Sequence, residues 1–133
     1  MRLVVDASVV VAALVDGGPV GRWAESALSS GLAAAPHLML VEAANILRRA
    51  ALSGDVSADT AALAHNDLLS FRVALFPYSP FASRVWELGA NVTAYDAWYI
   101  ALAESLDAPL ATLDLRLSRA PGVRCEFMAG PAG

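Results

Sequence analysis

Apolar positions along this chain fall in short blocks, and blocks that suit a strand alternate with longer ones that suit a helix. Arg2 is followed by the apolar and β-branched residues 3–5, which stop at Asp6 and predict a strand over 2–5, and the largely apolar run 7–15 that follows predicts a helix closed by Asp16-Gly17-Gly18-Pro19. A second helix is predicted over 20–30 and a short buried strand over 32–35. Pro36 then opens a helix that runs to about Leu52 and stops at Ser53-Gly54-Asp55. Ser57 or Asp59 caps the next helix, to about Phe71, and residues 73–76 predict a strand. Ser79-Pro80 starts a helix to Leu88, and Thr93 caps another over 94–106. Residues 110–113 predict a strand, 114–118 a helical turn and 123–127 a final strand. Residues 1–128 read as one domain and 129–133, rich in Gly and Pro, as a disordered tail.

This alternation predicts an α/β fold: a mainly parallel sheet of four to five strands, flanked by helices in a three-layer sandwich and joined by right-handed crossovers. In such sheets the working site lies at the carboxyl ends of the strands. Asp6 and Asp114 each follow a predicted strand directly.

Composition narrows the classes. At 133 residues and 57% hydrophobic content the chain can build one sizeable core. Its apolar runs fall short of the roughly 18 to 20 residues needed to span a bilayer, and Asp6 breaks the N-terminal one, so a cytoplasmic protein is expected. Cys125 stands alone, and His37 and His65 lack metal-motif spacing, which excludes a thiolate or histidine zinc site. A net charge of −4 argues against a nucleic-acid partner until cations are counted. Two divalent ions would bring that charge to about zero, and all nine basic Lys/Arg positions are arginines, which grip phosphates in a forked geometry.

Four acids sit in otherwise apolar windows: Asp6, Glu42, Asp96 and Asp114. Each also has an ordinary role to fill. Asp6 and Asp114 suit helix N-caps, Glu42 suits a polar stripe shared with Asn45 and Arg49, and Asp96 lies at capping-box spacing from Thr93. Together they say more. Two follow strands and two open helices, so α/β topology would gather them, and gathered carboxylates repel and lose solvation unless a cation intervenes. An all-oxygen set suits Mg2+ or Mn2+, whose chemistry is phosphoryl transfer.

At these residues the sequence resembles the PIN-domain superfamily, and more narrowly the VapC toxins of bacterial type II toxin–antitoxin systems. The matching pieces are Val4-Val5-Asp6-Ala7-Ser8, the segment 41–49 around Glu42, the segment 93–103 around Asp96, and Ala111-Thr112-Leu113-Asp114. The resemblance implies a PIN-like sandwich and a metal-dependent endoribonuclease in which Asp6, Glu42, Asp96 and Asp114 hold the metal and Ser8 and Thr112 support it. It also implies tRNA or rRNA as substrate, a VapB-like antitoxin and a homodimer. Some relatives carry a further acid where this chain has Arg116, which leaves a second metal site open. Arg48, Arg49, Arg116 and Arg119 lie near the acidic segments and suit phosphate contacts. Trp23 and Trp86 are candidates for either the dimer interface or the core. Receiver domains need a lysine, haloacid-dehalogenase-type phosphatases an Asp-x-Asp, and Rossmann sites a G-x-G-x-x-G, and none is present. The remaining rival is a catalytically silent PIN-like module that binds RNA or protein.

Overall fold

A computed structural model describes residues 1–131. Five strands, β1 (Arg2–Val5), β2 (Leu32–Pro36), β3 (Ala74–Phe76), β4 (Leu110–Thr112) and β5 (Phe127–Ala129), form one sheet in the order β3-β2-β1-β4-β5. Every neighbouring pair is parallel, with Val4 opposite Leu110 and Val5 opposite Ala111 at the centre. Leu3, Val4 and Val5 are wholly buried because β1 is the middle strand and helices cover both faces.

The helices are α1 (Ala7–Val15), α2 (Pro19–Ser29), α3 (Met39–Ser53), α4 (Ala58–Leu69), α5 (Ala82–Glu87) and α6 (Ala94–Leu106). Helices α1 to α4 pack among themselves, α6 packs on β1, β2 and β4, and α5 leans on α6. The crossovers explain this division. From β1 to β2 to β3 the chain steps one way across the sheet, and from β3 to β4 it steps back. Right-handed connections therefore put α1 to α4 on one face and α5 and α6 on the other. Helix α1 lacks a polar stripe because it touches α2, α3, α4 and the sheet, which is why Val9, Val10 and Val11 are all buried.

Three expected boundaries move. Pro36 ends β2 instead of opening a helix: its backbone lies opposite Phe76 of β3, and the next amide, His37 N–H, donates to the Phe76 carbonyl at 3.0 Å, so α3 starts at Met39. Residues 79–88 split into a 3-10 turn, Ser79–Phe81, and the short α5. The last strand is Phe127–Ala129, not 123–127, because the segment before it is spent on side chains. Arg84 Nη2 donates to the Gly122 carbonyl at 2.6 Å, and the Arg124 N–H donates to Glu104 at 2.8 Å. Ala129, expected in the tail, is thus paired with Thr112, and Gly130 lies so close to Leu113 and the Trp23 ring that a Cβ there would meet them at 2.5 and 3.1 Å. Trp23 is partly buried and packs against the core, whereas Trp86 is 85% exposed. The tail expectation for Ala132 and Gly133 lies outside the described residues.

Candidate active site

The sheet order reverses direction between β1 and β4, the place where α/β sheets open a crevice at their carboxyl ends. Asp6 follows β1 and Asp114 follows β4, so the two expected strand-end acids flank that crevice. Helix α3 brings Glu42 in its first turn and α6 brings Asp96 in its first turn. All four acids line one cavity of about 390 Å3, together with Ser8. Helical spacing places Asn45 and Arg49 on the Glu42 face of α3, and both line the same cavity.

The capping roles and the gathering of acids turn out to be compatible. Asp6 does cap α1, accepting the Val9 N–H at 3.2 Å, and Asp114 caps its 3-10 turn (Leu115–Arg119) through the Arg116 N–H at 3.1 Å. Thr93 caps α6 by accepting the Asp96 N–H at 3.2 Å. Asp6 is 9% exposed and also accepts hydrogen bonds from Ser8 Oγ, at 2.5 Å, and from Thr112 Oγ1. Thr112 Oγ1 in turn accepts the Asp114 N–H at 2.9 Å, so this one hydroxyl joins the first and fourth acids.

Electrostatics set this cavity apart. Burial pushes the Asp6 carboxyl above its ordinary value in spite of the bonds from Ser8, Thr112 and Val9. Burial likewise raises Glu42, against the Tyr99 hydrogen bond, and the charges of Asp96 and Asp6 add to the rise. Asp96 is raised by burial and by Asp114, with Thr93 opposing. Asp114 alone is lowered, because Arg116 grips it with Nε at 3.0 Å and Nη2 at 2.8 Å. Three carboxyls that resist ionisation, and a fourth held by an arginine, form a site short of positive charge. As they stand, no three acidic, His or Cys side chains among the described residues lie close enough to hold an ion. Ser8 and Thr112 bond to Asp6, Tyr99 to Glu42 and Arg116 to Asp114.

The expected arginines form two banks. Arg48 and Arg49 line a groove of about 750 Å3 between α3 and α4, which meets the acidic cavity at Asn45 and Arg49. Arg116 and Arg119 line a cavity of about 600 Å3 on the other side, which meets it at Asp96 and Leu117. Tyr99 is the residue that sequence reasoning missed. Its hydroxyl donates to Glu42 Oε1 at 2.5 Å, and burial together with that carboxylate pushes the phenol far above its usual value, so it stays protonated. A signal existed in the spacing, since Tyr99 lies three residues after Asp96 and shares its helix face.

A model of the PIN domain family matches residues 3–123, which is most of the chain. The chain is a PIN-domain protein. Ribonuclease VapC1 of Mycobacterium tuberculosis is 43% identical over 125 residues, covering 93% of this chain and 94% of that one. Among solved structures, the PIN-domain chain resembles PAE2754 from Pyrobaculum aerophilum, with a TM-score of 0.68 at 28% identity, covering 96% of this chain and 83% of that one. It shares its fold with VapBC2 from Rickettsia felis, solved bound to a promoter DNA fragment, with a TM-score of 0.64 at 13% identity and coverage of 98% and 100%. The three-layer α/β sandwich expected from the alternation of elements is the PIN fold, and no helix among the described residues is long and apolar enough to cross a membrane.

Proposed function

We propose that this PIN-domain chain is the endoribonuclease toxin of a toxin–antitoxin pair, hydrolysing RNA phosphodiester bonds with Mg2+ or Mn2+ held by Asp6, Glu42, Asp96 and Asp114. The observation that supports it most is the meeting of these four acids in one cavity at the sheet's switch point. Near full-length similarity to a VapC ribonuclease supplies the substrate class. The donor set is all oxygen and anionic, which fits a hard divalent cation. When bound, such an ion supplies Lewis-acid polarisation of the phosphoryl group and activation of water at neutral pH.

The chain's own residues do the rest. Ser8, Thr112 and the Val9 N–H fix the Asp6 carboxylate, and Thr112 locks it to the backbone of Asp114. Arg48 and Arg49 on one side, and Arg116 and Arg119 on the other, supply guanidinium forks for the phosphates flanking the scissile bond. Neither His nor Lys lines the acidic cavity, and the Arg49 that does stays protonated and cannot take a proton from a 2′-hydroxyl, so water attack leaving a 5′-phosphate is the matching chemistry.

The physiological RNA is tRNA or rRNA, and the cell compartment is the cytoplasm. A VapB-like antitoxin fits electrostatically, since the acidic cavity would receive a basic side chain from its tail. Exposed apolar residues beside the cleft, Val41 at 66% and Tyr95 at 60%, support a homodimer, which sedimentation at micromolar concentration tests. The deciding experiment is incubation with a bulk RNA mixture in Mg2+, Mn2+ or EDTA, with end-group analysis of the fragments. Cleavage that needs metal and leaves 5′-phosphates supports the proposal, and full activity in EDTA or 2′,3′-cyclic phosphate ends would overturn it. A silent RNA-binding module is the second reading, favoured by the spacing of acids that do not yet converge on one point. RNA binding without cleavage in either metal would select it.

A further inference from the structure

We propose that Tyr99 is a positioning residue that holds Glu42 ready as a single-oxygen ligand for the divalent cation, an inference that rests on the nuclease reading above. Tyr99 lies on α6, one turn after Asp96, and is 2% exposed, so core packing fixes its ring. Its hydroxyl reaches across to α3 and donates to Glu42 Oε1 at 2.5 Å, between residues 57 apart in sequence. One phenol thus ties the helix that carries the third acid to the second acid itself.

The reason for such a tie is electrostatic. Glu42 has three rotatable side-chain bonds, stands at the cavity edge and is repelled by Asp6 and Asp96. An unrestrained glutamate there would turn toward solvent and regain hydration. The phenol anchors one carboxylate oxygen against that repulsion, while Oε2 accepts no hydrogen bond among the described residues. A carboxylate bonded on one oxygen and open on the other is what a small, strongly directional ion requires of a ligand. If Tyr99 merely filled the core, Phe would serve equally well.

The test is Mn2+ binding to the RNA-free protein, followed by the loss of the free-ion electron paramagnetic resonance signal, for wild type, Tyr99→Phe, Glu42→Gln and the double variant. Tyr99→Phe should weaken Mn2+ binding about 10- to 100-fold, the usual cost of removing a hydrogen bond that orients a ligand. The same substitution in the Glu42→Gln background should change affinity less than about twofold, because the phenol acts through the carboxylate. An equal loss in both backgrounds, or an unchanged affinity in Tyr99→Phe, overturns the assignment of Tyr99 while leaving the nuclease reading intact. Wild type that neither binds Mn2+ nor cleaves RNA overturns both. Should Tyr99→Phe fail to melt cooperatively, wild type labelled at the tyrosine ζ-carbon carries the test. Its three tyrosine resonances are assigned through Tyr78→Phe and Tyr95→Phe, and that of Tyr99 should move with the Mg2+ binding midpoint. A stationary Tyr99 resonance overturns the proposal.

Discussion

Helix α6 carries a carboxylate near each end, and the two are treated in opposite ways. Glu104, near the C-terminal end, is gripped by Arg84 with Nε at 2.7 Å and Nη2 at 3.2 Å and accepts the Arg124 N–H at 2.8 Å. Burial opposes its ionisation, yet those bonds and the arginine charges outweigh it and hold the carboxyl below its ordinary value. Asp96, in the first turn, has burial and the Asp114 charge against it and is raised. The helix dipole alone would produce the reverse order, because it favours anions at the N-terminus by about 0.3–1 kcal/mol. Local partners therefore decide. One end spends its charge on holding α5, α6 and the segment before β5 together. The other end leaves the Asp96 carboxyl without an ion-pair partner among the described residues.

The comparison breaks most visibly at Asp96. Asp96→Asn should lower RNA cleavage at least about 100-fold, since loss of even an indirect partner of a metal ligand costs 10- to 100-fold. It should also raise the melting temperature of the metal-free protein by relieving repulsion, a gain that shrinks or reverses in excess Mg2+ or Mn2+. A variant destabilised alike in EDTA and in metal, with cleavage intact, would make the two ends of α6 equivalent.

At the other end the expected effect falls on stability. Glu104→Gln leaves Arg84 with only its longer pair to Glu87, at 3.3 Å, and should cost about 1–2 kcal/mol in denaturant unfolding, with the cleavage rate of the folded protein unchanged. The sign with pH follows from the lowered pKa. Glu104 contributes stability above its unfolded value near 4.5 and loses that contribution as pH falls through its lower folded value. The acid limb of the stability profile should therefore flatten in Glu104→Gln. The raised carboxyls Asp6, Glu42 and Asp96 act the other way, so the metal-free protein should gain stability as pH drops from neutral toward their raised values.

The smallest effect belongs to Arg116, which is fully at the surface and pairs directly with Asp114. Arg116→Gln frees Asp114 and should tighten Mn2+ binding by about two- to fivefold, the range of an exposed ion pair, with almost no change in melting temperature. Calorimetric titration reads the difference. Weaker Mn2+ binding would assign Arg116 to the site rather than against it.

The parts of the molecule that were legible in the sequence are those whose cause is local. Asp6 shows itself because a central strand is continuously apolar and an acid at its end breaks the run, and the same logic exposes Asp114. Glu42 and Asp96 stand out as acids in apolar helix windows. What stayed hidden depends on partners far along the chain. The position of β5 is set by Arg84 and Glu104 capturing backbone groups of Gly122 and Arg124, which no pattern within residues 121–129 encodes. Tyr99 in an apolar helix looks like any core aromatic until Glu42 is folded against it. Pro36 reads as a helix opener, and the approach of β3 keeps it extended.

The hydroxyl bond from Thr112 to Asp6 spans 106 residues, and it bears on when the crevice is assembled. Strand β1 is made first but gains its second neighbour, β4, only after more than four-fifths of the chain has been synthesised. Until then Asp6 lacks Thr112, the crevice lacks one wall and Asp114 does not yet exist. Every nascent chain that ends before β4 therefore carries an unassembled crevice, so the four acids meet only as synthesis nears its end.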